Sequence, residues 1–121
     1  MENPHKKLAV WKRAVDLTVL IYEVTNGFPV HEKYGLVTQM RRAAISVPSN
    51  LSEGVARTSE KELLQFLSIA RGSLSELDTQ LEICCKLGYL TETQKARIDE
   101  VMTDVDRLLY GLMKSVRNKP L

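Results

Sequence analysis

The sequence predicts an all-α fold: an antiparallel up-down-up-down four-helix bundle, formed by a single domain of residues 1–121. Four segments space their apolar residues by three and four positions, as amphipathic helices do. No segment shows the period-two alternation of a half-buried strand. The connections between segments are short, so successive helices should pack as antiparallel neighbours. A chain of 121 residues can form this core without disulfide or metal staples.

The first two helices are predicted at about residues 6–25 and 32–57. Gly27, Phe28 and Pro29 end the first helix. The second helix contains Pro48, which removes a backbone donor from a helix interior and costs about 3 kcal/mol. We therefore expect strong packing around this proline.

The third and fourth helices begin at capping-box patterns, at Ser59 with Glu62 and at Thr91 with Gln94. Gly88 is the expected residue after the end of the third helix. Asn118, Lys119 and Pro120 stop the fourth. The apolar seam of the third helix steps alternately by four and three, which indicates coiled-coil-like packing. Its members are Leu63, Leu67, Ala70, Leu74, Leu77, Leu81 and Cys84.

The third helix carries more apolar side chains than one bundle seam uses. Those off its main line are Leu64, Phe66, Ile69, Ile83 and Leu87. In a monomer they would form exposed patches, and such patches usually mark interfaces. The sequence therefore predicts a homo-oligomer.

Composition and motifs argue against several classes of protein. No apolar run approaches the ~20 residues that span a bilayer, and the start of the chain has no signal-peptide pattern, so we expect a cytoplasmic protein without a membrane partner. Cys84 and Cys85 are adjacent, which fits neither a disulfide nor a zinc site. His5 and His31 belong to no ligand pair, and no glycine-rich phosphate loop occurs. No metal, cofactor or catalytic site is expected, and hence no enzyme.

A stripe of polar residues along the second helix faces a shorter stripe on the third. The second helix contributes Gln39, Arg42, Ser46, Asn50, Glu53 and Arg57, and the third contributes Ser73, Glu76 and Gln80, with Arg71 and Gly72 beside them. One interpretation is a hydrogen-bonded network between the helices, using carbonyls freed by Pro48, with Gly54 and Gly72 allowing close approach. The other is that some of the arginines bind phosphates.

Positive charge is concentrated at the start of the chain. The net charge is +2, with a local +3 in residues 1–13 and −1 in the remainder. A solvated helix end is one explanation, and contact with phosphates is the other. The candidate nucleic-acid-binding residues are Lys6, Lys7, Lys12, Arg13, Arg41, Arg42 and Arg57.

Several long motifs identify a related family. LAVWKRAVDLTVLIYEVTNGFPVHEKYGL, MRRAAISVPSNLSEGVAR, FLSIARGSLSELDTQL and LGYL resemble the bacterial four-helix bundle proteins encoded within intervening sequences of 23S ribosomal RNA genes. That family was first labelled a ribosomal protein family, and the resemblance covers about residues 8–112. It implies an antiparallel four-helix bundle that assembles into a ring-shaped homopentamer. The family is also similar to the accessory variability proteins of diversity-generating retroelements, which bind a reverse transcriptase and nucleic acid through a basic pentameric ring.

Two functional hypotheses follow. In the first, a non-catalytic pentamer associates with RNA or a nucleoprotein and binds phosphates through the basic candidates. Five copies would carry about +10, which a ring could focus. In the second, the protein is an interaction scaffold without nucleic-acid binding, and its polar stripe is purely structural.

Overall fold

The computed structural model describes residue 1 and residues 3–118, and it folds them into four α-helices and two short 3-10 helices. The α-helices are α1 (Ala9–Thr25), α2 (Leu36–Val55), α3 (Glu60–Lys86) and α4 (Glu92–Arg117), and the 3-10 helices are Pro4–Lys7 and Val30–Glu32. No strand occurs within this part of the chain. The all-α prediction is confirmed.

The first two helices begin later than the sequence predicted. Leu8 is extended, with φ −75° and ψ 128°, so Lys6 and its neighbours form a separate 3-10 turn before α1. Gly35 has φ −112° and ψ −107°, and this non-helical conformation separates the second 3-10 turn from α2. Apolar periodicity continues through both interruptions, which is why it did not reveal them.

Side-chain caps fix the starts of α3 and α4. At Thr91 both bonds of the predicted capping box form: the Gln94 amide donates to Thr91 Oγ1 at 3.1 Å, and the Thr91 amide donates to Gln94 Oε1 at 3.0 Å. At Ser59 the hydroxyl accepts from the Glu62 amide at 3.3 Å. The Glu62 carboxylate approaches the neighbouring Arg57, at 3.9 Å from Nε.

The C-terminal end of α3 is a Schellman motif centred on Gly88. This glycine has φ +76°, a left-handed conformation that costs other residues a steric penalty. The Tyr89 amide donates to the Cys84 carbonyl at 2.9 Å, and the Gly88 amide donates to the Cys85 carbonyl at 3.1 Å. The predicted role of Gly88 is confirmed. At the end of α4, Asn118 is the C-cap, and the rest of the predicted stop signal lies outside the described residues.

The four helices occupy the corners of a square. α1 and α3 each pack against α2 and α4, and within the described residues the diagonal pairs make no close backbone contact. Along α1, Thr18 donates to the carbonyl of Ala44 in α2 at 3.1 Å. Further along α1, Thr25 accepts from Arg41, which comes earlier in α2, at 3.0 Å. Later residues of α1 therefore contact earlier residues of α2, as antiparallel helices require.

The same reversed order holds for two other helix pairs. In α2 and α3, Met40 meets Cys84, and the later Ser46 meets the earlier Ser73. In α1 and α4, Arg13 pairs with Asp104. A surface groove brings the later Glu23 of α1 beside the earlier Arg97 of α4.

The predicted seam of α3 forms the centre of the core. Leu67, Ala70, Leu74, Leu77, Leu81 and Cys84 are all buried, and Leu63 packs against them in part. Of the residues off this seam, Ile69, Ile83 and Leu87 are about half exposed, at 51%, 45% and 53%. Leu64 and Phe66 are partly buried within the chain itself. The excess apolar surface of α3 is thus smaller than predicted, and it comprises Ile69, Ile83 and Leu87.

Pro48 lies inside α2 and leaves the Ala44 carbonyl without its usual amide donor. Thr18 of α1 lies within hydrogen-bonding distance of this carbonyl and of the Ala14 carbonyl, at 3.1 and 2.9 Å. The contact that compensates for the proline therefore comes from α1. The sequence had assigned it to a network between α2 and α3.

The two glycines expected to bring α2 and α3 together differ in their surroundings. A Cβ added to Gly54 would lie 2.9 Å from Cβ of Phe66 and 3.2 Å from Cδ1 of Leu63. Only glycine fits this approach without displacement. Gly72 faces open space with no atom within 4 Å, so its predicted role in close packing was wrong.

Candidate nucleic-acid interface

The antiparallel arrangement brings three distant chain segments together at one end of the bundle. We call this the basic end, and it comprises residues 3–13, 52–62 and 110–118. Its eight basic residues are Lys6, Lys7, Lys12, Arg13, Arg57, Lys61, Lys114 and Arg117. Its three acidic residues are Glu53, Glu60 and Glu62. The excess of positive charge makes this end the electrostatic footprint expected for phosphate binding.

The opposite end has the reverse balance. We call it the acidic end, and it comprises residues 22–38 and 80–100. Its acidic residues are Glu23, Glu32, Glu82, Glu92, Asp99 and Glu100, against the basic Lys33, Lys86, Lys95 and Arg97. The small net charge of the chain therefore conceals a separation of charge along the bundle axis.

Five of the seven candidate phosphate-binding residues lie at the basic end, namely Lys6, Lys7, Lys12, Arg13 and Arg57. Arg41 and Arg42 lie in the first turns of α2, away from that end. Sequence reasoning missed Lys61, Lys114 and Arg117. They are far from the N-terminus in sequence. The only signal that could have placed them beside the N-terminal lysines was the antiparallel packing predicted for the bundle.

Three of the cations at the basic end are engaged within the chain. Arg13 places Nε and Nη2 each 3.1 Å from Oδ2 of Asp104. Arg57 donates to Oε2 of Glu53 at 3.2 Å and lies over the ring of Phe66, 5.0 Å from its centroid. Lys6 donates to the Met1 carbonyl. These contacts orient the side chains and leave them exposed or half-buried.

The other five cations at this end are free of such contacts. Lys7, Lys12, Lys61, Lys114 and Arg117 are exposed, and none of their side chains forms a hydrogen bond or ion pair with another described residue. A cation without an internal partner can bind a phosphate without first breaking a bond. These five side chains are therefore the cations of the basic end that are most accessible to an anion.

Arg41 serves the fold at the end of α1. Its Nε donates to Thr25 Oγ1 at 3.0 Å, and its Nη2 donates to Asn26 Oδ1 at 3.1 Å and to the Tyr22 carbonyl at 3.4 Å. The guanidinium also lies 4.5 Å from the centroid of the Tyr22 ring. Neighbouring Arg42 is exposed and has no bond to another described residue.

The predicted polar network forms only at its centre. Ser46 and Ser73 join α2 to α3 through their hydroxyls at 2.8 Å, and Asn50 Nδ2 donates to the Ser46 hydroxyl and carbonyl at 2.9 and 2.8 Å. Gln80 bonds to Glu76 within α3 at 3.3 Å, and its buried Oε1 has no partner among the described residues.

The remaining stripe residues point elsewhere. Arg71 approaches Asp106 of α4 at 4.0 Å and the ring of Tyr110 at 5.5 Å. Glu53 pairs with Arg57. Gln39 is exposed, and its side chain forms no hydrogen bond within the described part of the chain.

Two titratable groups near the acidic end are perturbed for structural reasons. Burial raises the pKa of the Cys84 thiol to about 11, where it donates to Met40 Sδ at 3.3 Å. Tyr89 donates to Glu32 Oε2 at 2.9 Å, and this bond raises the pKa of the phenol. Among residues 1 and 3–118, no group of three potential ligands is arranged to hold a metal ion. None of the helices described is both long and apolar enough to cross a membrane.

Comparison with known proteins establishes the family. The chain is similar in structure to a protein of unknown function from the S23 ribosomal protein family of Bacteroides thetaiotaomicron, with a TM-score of 0.78 and 21% sequence identity over 87% of this chain and 95% of the other. At this identity the likeness shows the fold. No curated protein matches the chain at a significant level. The family model for 23S rRNA-intervening sequence proteins matches residues 6–111, so the chain belongs to the 23S rRNA-intervening sequence protein family.

Proposed function

We propose that this protein is a non-catalytic RNA-binding bundle that holds phosphates at its basic end. The observation that carries the proposal is the gathering of eight basic and three acidic residues at one end, where five of the cationic side chains have no partner among the described residues. Phosphate contacts dominate the affinity of nucleic-acid-binding proteins. The location of the family's genes within 23S rRNA genes, as the family name describes, makes a structured RNA the natural first ligand to test.

Self-association would strengthen such binding. Ile69, Ile83 and Leu87 leave apolar surface on α3, which supports a homo-oligomer. The resemblance to the retroelement accessory proteins favours a pentamer. A ring whose axis runs along the bundles would place five basic ends on one side and five acidic ends on the other, which would concentrate the field that attracts RNA.

The alternative is a protein-interaction scaffold. The same apolar residues of α3 could receive a partner protein, and a nucleic-acid-processing enzyme such as a reverse transcriptase fits the resemblance. In this alternative the Ser46–Ser73 contact serves only the fold, and the basic end interacts with solvent.

A salt titration with light scattering on the same sample distinguishes these functions. Purified protein and a structured RNA are titrated from about 50 to 200 mM salt, and the slope of log K against log salt counts the phosphate contacts, at about one unit per contact. The proposal predicts a steep slope and the mass of an oligomer. An oligomer without affinity for RNA at low salt would contradict it and favour the scaffold.

A further inference from the structure

A groove opens at the basic end, between the N-terminal segment and the last turns of α2, with a volume of about 660 Å³. The N-terminal side is lined by Met1, Asn3, Pro4 and His5, and the α2 side by Ser52, Glu53, Val55 and Ala56. The volume falls within the range of roughly 300–1,000 Å³ that small-ligand sites occupy. The groove therefore has room for a planar group the size of a nucleobase.

The lining of the groove differs in charge from the surface around it. Among these side chains only Glu53 carries a full charge, and it is negative, whereas Lys6 and Lys7 directly follow the N-terminal wall. A carboxylate repels a phosphate but accepts hydrogen bonds from N–H groups. The groove thus suits the edge of a base, and the adjacent lysines suit its phosphates.

The Glu53 carboxylate favours guanine over adenine as the base in this groove. Guanine presents N1–H and its exocyclic amine side by side on the Watson–Crick edge, so both can donate to one carboxylate. Adenine offers one amine beside an acceptor nitrogen, which a carboxylate would repel. Unpaired bases are the groups that proteins recognise in RNA loops, because their Watson–Crick edges are free.

Contacts within the chain hold both walls of the groove in place. Arg57 donates to Glu53 Oε2 at 3.2 Å and itself lies over the ring of Phe66, 5.0 Å from its centroid, so the carboxylate is oriented by a neighbour that packs on the fold. On the other wall, the ring of His5 packs edge-on against Trp11 of α1, with centroids 5.2 Å apart. Such preorganisation lowers the entropic cost of binding.

The geometry points to a guanine subsite, and this inference rests on the proposed function. We infer that the groove receives an unpaired guanine of RNA whose phosphates lie along the basic end. Glu53 accepts from the Watson–Crick edge, and Pro4 and Val55 contact the faces of the base.

The test uses fluorescence anisotropy with oligouridine 8-mers that carry guanine, inosine or adenine at one central position. The full-length protein should bind the guanine oligomer about fivefold or more tightly than the adenine oligomer, a size typical of one base-edge contact. Inosine lacks the exocyclic amine and should fall between them. In Glu53→Gln the preference should disappear. Glu60→Gln removes the same charge from the same end outside the groove and should keep the preference.

Each contrary result has a distinct meaning. Salt-dependent binding with equal affinity for guanine and adenine overturns the guanine subsite but leaves the proposed function standing. A guanine preference that survives in Glu53→Gln also overturns it. No binding of any oligomer at low salt overturns both. Thermal melts of both variants verify that each remains folded.

Discussion

The two ends of this bundle use their polar side chains in opposite ways. Next to the acidic end, Arg41 makes three hydrogen bonds that cap α1, and within that end Tyr89 joins the connection after α3 to Glu32 in the connection before α2. At the basic end, the side chains of Lys7 and Lys12 bond to no other described residue. Charged groups that are satisfied internally stabilise the fold, whereas exposed unpaired cations remain available for a ligand. We infer that one end closes the bundle and the other binds RNA.

Both ends depend on the core between them, so a core substitution should have the largest effect. Leu74→Asp places a carboxylate at a site only 4% exposed, and we expect a loss of more than about 4 kcal/mol and an unfolded or aggregated protein. Circular dichroism and size-exclusion chromatography measure this. Ser75→Asp, at the exposed neighbouring position, is the control and should remain helical. A soluble, fully helical Leu74→Asp protein would refute the assignment of Leu74 to the α3 seam.

Closure of α2 on α3 beside the basic end depends on Gly54. In Gly54→Ala the added Cβ would lie 2.9 Å from Cβ of Phe66, and we expect a loss of about 1–3 kcal/mol through overpacking. Gly72→Ala makes the same chemical change in open space and should stabilise α3 by about 0.5–1 kcal/mol. Urea denaturation of both variants measures whether each change lowers or raises the free energy of unfolding. Equal effects would show that the approach at Gly54 is not tight.

The contacts that close the end of α1 beside the acidic end can be tested at Arg41. Arg41→Ala removes the bonds to Thr25, Asn26 and the Tyr22 carbonyl, and we expect a loss of about 1–2 kcal/mol in urea denaturation. Arg42→Ala alters an exposed neighbour without such bonds and should leave stability nearly unchanged. The slope of RNA binding against salt should be the same in Arg41→Ala as in the wild type. A reduced slope with unchanged stability would assign Arg41 to phosphate contact instead.

A further effect should appear in alkaline solution. The folded pKa of Cys84 is about 11, above the ordinary value of 9.0, because the buried thiolate is poorly solvated. The unfolded chain therefore loses this proton first. The contribution of Cys84 to stability is full below pH 9 and disappears as the pH rises through about 11.

Urea denaturation at pH 8 and at pH 10.5 under reducing conditions measures this loss. Cys84→Ala should show a smaller fall in stability between the two pH values than the wild type. Cys85→Ala removes the half-buried neighbouring thiol and should retain most of the fall, since burial is the main cause of the shift. Identical pH dependence in the wild type and in Cys84→Ala would contradict the role of burial.

Local features could be predicted from sequence, and features that depend on packing could not. The Thr91 capping box and the left-handed Gly88 depend on residues a few positions away, and both form as predicted. Whether Gly54 or Gly72 meets a neighbouring helix depends on the rotation of each helix, which the sequence did not fix. The bond from Thr18 to the Ala44 carbonyl likewise requires two helices in register.

The residues of the candidate site likewise divide into those visible locally in the sequence and those brought together only by packing. The lysines of the N-terminal segment were visible as a local run of charge. Lys61, Lys114 and Arg117 join them only through the antiparallel arrangement of four helices. The net charge of +2 also misled, because the negative charge of the acidic end and of the rest of the chain offsets part of the excess of positive charge at the basic end.

The most direct test reverses the same amount of charge at each end. Lys7→Glu with Lys12→Glu alters the basic end, and Lys33→Glu with Lys86→Glu alters the acidic end, so both double variants have the same net charge. RNA affinity is measured at about 50 mM salt, where phosphate contacts are strong. We predict that the basic-end variant binds about tenfold or more weakly than the wild type, while the acidic-end variant binds nearly as well. Equal weakening of both variants, or of neither, would contradict the claim that the basic end binds RNA.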